Sequence, residues 1–353
     1  MSKTLAPQSA TNMAEQNPQG VDPDAVSVSV DVSAAPAEAS AAPTAPSPGR
    51  TADKVFKICA WSAGILIFLA LAAVTIFLIL RALPAFTGDP AVRSSALESL
   101  SGGRASNFAS YVGPLLFGTI LIAGLSLLLA FPVSTGIALF ITHYAPRKLS
   151  TALSSVVDLL AAIPSVIYGL WGALVLVPAI TGFWNWVATY LGWIPIFAGP
   201  AAAPARSVAS VALVLAVMIL PIITSVARDI FAQAPRLQQE AALALGATKW
   251  ETIRLAVLPF ARSGLISASM LGLGRALGET MAVLMILSPG FSYSLHILQA
   301  STSQTIAANI ASQFPEADSM GVAMLVATGL VLFVITFLVN FLARRITGKG
   351  VSK

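Results

Sequence analysis

Cysteine, histidine and charge are all scarce in this chain: Cys59 stands alone, His143 and His296 are far apart, and Asp, Glu, Lys and Arg together make up 10% of 353 residues. A lone cysteine has no intrachain partner, so disulfides do not organise the fold. Two distant histidines give no metal-ligand spacing. No G-x-x-x-x-G-K-[ST] segment occurs, which excludes nucleotide binding by that route, and no Ser/His/Asp or paired-carboxylate arrangement for hydrolysis is apparent. Gly272, Gly274 and Gly278 have the spacing G-x-G-x-x-x-G inside an apolar run, which predicts close helix contact by Gly274 and Gly278 rather than a dinucleotide site.

Apolar residues fill the space that charge leaves. At 56% hydrophobic content and a mean hydropathy of +0.83, the chain reads as an all-α integral membrane protein. Its formal charge of +5 does not indicate nucleic acid, because the basic residues sit beside the apolar runs, where topology places them. Residues 1–53 are rich in Ala, Pro, Ser and Gln with few large apolar side chains; they predict a disordered tail and lack the apolar core of a signal peptide.

Six runs long enough to span a bilayer follow, at roughly 57–80, 114–141, 154–180, 207–227, 264–288 and 320–343. Residues 54–113 form the first span and an external connection, 114–345 a five-helix core, and 346–353 a short tail. Lys and Arg collect at 50–57, 147–148, 228–262 and 344–353, whereas the other side holds Arg81, Arg93, Arg104 and Arg206, so both termini are expected in the cytoplasm. Trp184, Trp186, Tyr190 and Trp193 suit the opposite interface.

Prolines interrupt the spans at Pro132, Pro164, Pro178 and Pro221. Each frees a carbonyl that must find a neighbour or a water-lined path. The stretch 162–169 pairs such a break with Ser165, Tyr168 and Gly169, which makes Ser165 and Tyr168 candidates for a path. Asp158, early in the third run, reads either as a path residue or as a carboxylate at a helix start.

The connection 231–259 is far longer than a turn. Pro235 suits a first helical turn, Leu237, Ala241 and Leu245 lie on one side, Gly246 is a stop, and Thr248-x-x-Glu251 has capping-box spacing; Pro259 ends the segment. Two short surface helices are predicted, resting on headgroups or contacting a partner.

Arg275 and Glu279 fall within the fifth apolar run, about 16 Å from its cytoplasmic edge if it is one helix. Each ion costs about 2.5–3.5 kcal/mol at mid-membrane on insertion scales, so neither should face lipid. At i, i+4 they could pair and lock the bundle. Alternatively Arg275 supplies a planar double donor for a tetrahedral oxyanion, and Glu279 favours monohydrogen phosphate, which has a proton to donate, over sulfate, which has none.

Glu240-Ala241-Ala242, Gly246 and Leu258-Pro259 resemble the EAA loop of ABC importer permeases, with Ala256 where that family often has Ile. "GLGRALGETMAVLM" (272–285), "AAIPSVIYGLWG" (161–172) and "TIAANIASQFPEA" (305–317) are similar to the PstC-type permeases of phosphate-specific ABC importers, over about residues 55–345. The resemblance implies the type I ABC importer permease fold, with no cofactor and no catalysis by the chain itself. It implies docking of Glu240, Ala241, Ala242 and Gly246 on an ATPase subunit, and phosphate passage at Arg275 and Glu279. It also implies a PstA-like second permease, two PstB-like ATP-binding subunits and an external PstS-like phosphate-binding protein, all at the bacterial cytoplasmic membrane. A PstA-type or other anion permease and a proton-coupled secondary transporter are the rival readings.

Overall fold

A computed structural model describes residues 49–348, with side chains within 53–345. The expected tail thus lies outside the described residues up to residue 48, and its last positions, from Gly49, are already helical. The end of the C-terminal tail, 349–353, is likewise outside. By its internal contacts the chain divides after Ile65. The described part of the first unit, 49–65, is the start of α1 (Gly49–Thr87), and its side chains from Asp53 onward are all exposed. The rest concerns the second unit.

Every regular element among the described residues is helical. Six helical segments are long and apolar enough to cross a membrane: Asp53–Thr87, Phe108–Tyr144, Ser165–Tyr190, Val208–Ala232, Lys249–Leu277 and Ser319–Arg345. The third begins eleven residues later than expected, because the chain breaks at Ala162–Pro164 and separates α4 (Arg147–Ala161) from α5 (Ser165–Trp171). The fifth ends at Leu277 instead of near 288. The external connection holds an unexpected helix, α2 (Pro90–Ser101), capped by the Asp89 carboxylate and closed by Gly102 in the left-handed region. The Asp-Pro start is the sequence signal for it.

Prolines shape these segments in a consistent way. A wide π-turn occupies Phe140–Tyr144 after α3 (Phe108–Leu139), Gly172–Leu176 before α6 (Val177–Tyr190), and Ile253–Val257 between α9 (Lys249–Thr252) and α10 (Leu258–Leu277). Each lies immediately ahead of a proline, two residues after its end: Pro146, Pro178 and Pro259. A proline ring collides with the carbonyl four residues back and donates nothing to it, and a widened turn moves that carbonyl aside. Pro259 therefore does not end the second helix of the long connection. That helix runs on into the membrane as one segment, Lys249–Leu277.

At the centre lies α7 (Val208–Ala232), the most buried span. Val211, Leu215, Ile219 and Ile223 of α7 pack with Ile122 of α3 and Ala268 of α10. In lipid such contacts rest on close packing, and small residues permit it. A Cβ on Gly272 would meet Ile223 Cδ1 at 2.7 Å, and one on Gly264 would meet Ile230 Cδ1 at 2.7 Å. The expected Gly274/Gly278 contact is not made: Gly274 faces open space and Gly278 nears only the Gly274 carbonyl. Gly272 and Gly264, earlier on the same helix, are the ones turned to α7. Beside Pro221, inside α7, Leu220 O accepts a hydrogen bond from Ser134 Oγ of α3 at 3.1 Å.

Candidate functional site

Gly278 ends α10, and α11 (Met281–Ile286) begins three residues later. The intervening Glu279 is only 7% exposed, and its Oε1 accepts the Ala282 N–H of α11 at 3.1 Å. Arg275 and Glu279 therefore do not share a helix face, and no ion pair joins them. The i, i+4 expectation fails because Gly278 closes the helix between them and the carboxylate is committed to the next helix. The signal was present as a glycine followed by Glu-Thr, but the apolar run to Leu287 masked it.

Arg275, on the last turn of α10, is exposed. It lines a cavity of about 820 Å³ with Ser267, Met270 and Gly274 of α10 and with Phe337 and Asn340 of α13 (Ser319–Gly348). Gly274 keeps the wall beside Arg275 low. Among the described residues no carboxylate borders this cavity.

The break before α5 comes to the same neighbourhood. Tyr168 is 8% exposed and lies within electrostatic range of Arg275, while its hydroxyl donates to Leu160 O at 2.9 Å across the break. A Cβ on Gly169 would lie 2.8 Å from Ala282 Cα, so α5 and α11 touch backbone to backbone just past Glu279. Ser165 is half-buried at the start of α5. Tyr168 and Arg275 thus lie within electrostatic range of each other, and Glu279 is bonded to the start of the helix that α5 touches. Asp158 is not among them: it pairs with Arg228 at 3.3 Å and accepts from Ser225 Oγ at 3.1 Å, which ties α4 to the end of α7.

Beyond α11 the chain has no helix until Ile306, and it packs against the start of α7 and the connection before it, with Ser288 N–H donating to Arg206 O and Ala202 N–H to Leu298 O. Residues 287–305 are held by backbone bonds from Gly290 to Ser303 O, Ser292 to Thr302 O and Ala209 to Ile297 O, so buried irregular backbone stays satisfied. The chain then enters α12 (Ile306–Gln313), where Tyr111 donates to Asn309 Oδ1 at 2.6 Å. These buried polar groups, Thr302, Ser303, Gln304, Thr305 and Asn309, were not singled out from sequence. The polar run STSQT was the available cue.

At the other end of α10, the long connection folds as two helices. α8 (Arg236–Ala244) ends with Ala247 N–H donating to Ala242 O at 3.1 Å and Gly246 N–H to Leu243 O at 3.0 Å, with Gly246 at φ +86°. This pairing is a Schellman stop. Thr248 and Glu251 then make the expected reciprocal cap. Ile253 and Val257 root the elbow in a core with Phe231 and Ala261. Glu240, Ala241 and Gly246 are exposed, Ala242 is half-buried, and Leu237 and Leu245 are 80% and 90% exposed, so the elbow presents an apolar face that none of the described residues covers.

A family model described as "Binding-protein-dependent transport system inner membrane component" matches residues 130–348. Phosphate transport system permease protein PstC 2 of Mycobacterium tuberculosis is 43% identical over 312 residues, covering 86% of this chain and 94% of that protein. The PstC proteins of Mycobacterium leprae (43% over 308 residues, 86% and 95% covered) and Haemophilus influenzae (39% over 300 residues, 83% and 92%) are similar in extent. Among solved structures, a permease chain of a bacterial alginate ABC transporter, in complex with an alginate-bound periplasmic protein, superposes with a TM-score of 0.52 at 18% identity, over 84% of this chain and 96% of that one. That likeness concerns the fold.

Proposed function

Since the chain belongs to the family of binding-protein-dependent transport system inner membrane components, we propose that it serves as the PstC-type permease subunit of a phosphate ABC importer, a multi-pass membrane subunit of type I fold. It forms half of a pore against a related, PstA-like permease. ATP is hydrolysed in two separate PstB-like subunits that seat on the 231–259 elbow, and a PstS-like protein delivers phosphate to the opposite face. Both termini are cytoplasmic, because the basic residues of the elbow and of the span ends lie on that side.

The observation that carries the choice of site is Arg275: a charged group at a helix end, open to a cavity and without a carboxylate partner. A cation kept only to lock a bundle would be neutralised, because an uncompensated buried charge is costly. An anion path needs it free. Its planar fork donates two parallel hydrogen bonds to an oxyanion, and Tyr168 lies within its field. Glu279 fixes the start of α11 and places a carboxylate beside the same path, where an anion that still bears a proton is favoured over one that has none. Ser165 lies at the lip of the break.

Vesicles carrying the complete transporter test this reading by ATP-dependent uptake of phosphate, sulfate and an uncharged solute. Arg275→Ala should lower phosphate uptake at least about tenfold, the loss of a charged hydrogen bond of about 1.5–3 kcal/mol, with the complex still assembled. Undiminished phosphate uptake would remove Arg275 from the path. Uptake that ignores ATP and follows the proton gradient would remove the ABC importer assignment.

A further inference from the structure

A second cavity, about 510 Å³, opens at the end of the molecule remote from the elbow. Its wall includes Ser101, Arg104, Arg206, Gln304, Ser312 and Gln313, and none of the described residues that line it is acidic. We propose that this cavity is a vestibule that holds one tetrahedral oxyanion between delivery at the outer face and passage to Arg275. The proposal rests on the phosphate-importer reading above.

The Arg104 backbone and the Arg206 guanidinium are each fixed by hydrogen bonds. The buried Ser101 hydroxyl donates to Leu97 O at 2.6 Å and accepts the Arg104 and Ala105 N–H groups at 3.2 and 3.0 Å. Gly102 and Gly103, at φ +61° and +78°, allow the tight reversal that sets Arg104 on the rim. The Arg104 guanidinium is exposed and has no hydrogen-bond or ion-pair partner among the described residues, so all its donors are available to a ligand. Arg206 spends two donors on the last carbonyls of α11, Ile286 O and Met285 O, both at 3.2 Å, which leaves its remaining donors for the cavity. Gln304 and the Ser312 hydroxyl add neutral polar groups.

The position of the cavity fits a waiting place on a path. Val283 and Leu284 of α11 and Leu287 just after it line one wall, and Glu279 caps the opposite end of that helix. Six residues rise only about 9 Å. An anion leaving the two arginines therefore has one short helix to pass before it meets the field of Arg275. A concave site lined by one sign of charge raises the local concentration of counter-ions, and this effect shrinks with salt.

The test uses the assembled transporter in proteoliposomes with its external binding protein, ATP and inorganic phosphate, comparing Arg104→Gln, Arg104→Glu and Arg104→Lys. Phosphate uptake should fall about three- to tenfold in Arg104→Gln, fall further in Arg104→Glu, stay within about twofold in Arg104→Lys, and converge toward the wild type as salt rises. Equal rates in all three variants would overturn the vestibule. So would a loss that tracks weakened binding-protein docking, measured by co-sedimentation, because Arg104 would then be a protein contact. A wild type that imports no phosphate sinks the underlying assignment, whereas wild-type import indifferent to Arg104 sinks the vestibule alone.

Discussion

Glu279 has two tasks that substitution can separate. Its Oε1 accepts the N–H of Ala282, a residue fully removed from solvent, and its charge lies beside the proposed path. Glu279→Gln keeps an acceptor oxygen of the same reach and deletes the charge. Glu279→Ala deletes both and leaves a buried donor unmet, at about 1–3 kcal/mol. The alanine variant should therefore melt several degrees below the wild type and lose phosphate uptake, while the glutamine variant melts close to it. On the reading proposed above, sulfate carries the same charge as monohydrogen phosphate but has no proton to donate, so it meets the carboxylate without a hydrogen bond to offset the repulsion; about 1.5–3 kcal/mol of such discrimination corresponds to about ten- to hundredfold. In Glu279→Gln that exclusion should collapse toward unity, read as the ratio of phosphate to sulfate uptake in vesicles. If Gln and Ala are equally unstable, the capping account fails. If Gln leaves the ratio at its wild-type value, Glu279 does not read the substrate's proton.

The glycines and the elbow give further expectations. Gly272→Ala forces a methyl against Ile223 and should cost about 1–3 kcal/mol of stability, whereas Gly274→Ala meets nothing and should be neutral or stabilising by up to about 1 kcal/mol; thermal melting that ranks them the other way would refute the packing assigned to α10. On the elbow, Leu237→Asp and Leu245→Asp, at exposed positions, should leave the melting of the permease unchanged while ATPase subunits no longer co-purify. Co-purification at wild-type yield would show that the apolar face is not the docking surface.

Much of this was legible in the amino-acid order because membrane and surface signals are local. Apolar run length gave all six spans, and Thr248, Glu251 and Gly246 each occupy the cap or stop their residue types imply. What failed was continuity. Hydropathy sums cannot see that Gly278 halts α10 while Met281 starts a new helix with the same polarity, so Arg275 and Glu279 were placed on one face. The same blindness merged Asp158 with the third span, although a Pro164 break lies between them, and stopped the elbow's second helix at Pro259, where a widened turn carries it through. The paired glycines were misassigned because G-x-x-x-G marks a spacing, and only the neighbouring helix decides which glycines face it.

The unbroken helix from Lys249 to Leu277 makes the elbow and Arg275 two ends of one beam. They are about 39 Å apart at 1.5 Å per residue, with Gly264 seated on Ile230 about 22 Å from the first and 16 Å from the second. A beam that rocks on that seat converts a sideways shift of about 3 Å at the elbow into an opposite shift of about 2 Å at the guanidinium, a ratio set by geometry alone. Such a shift is enough to break or make a hydrogen bond to an oxyanion, so if the ion binds at Arg275 as proposed, its grip and the motion of the elbow are a single mechanical coordinate.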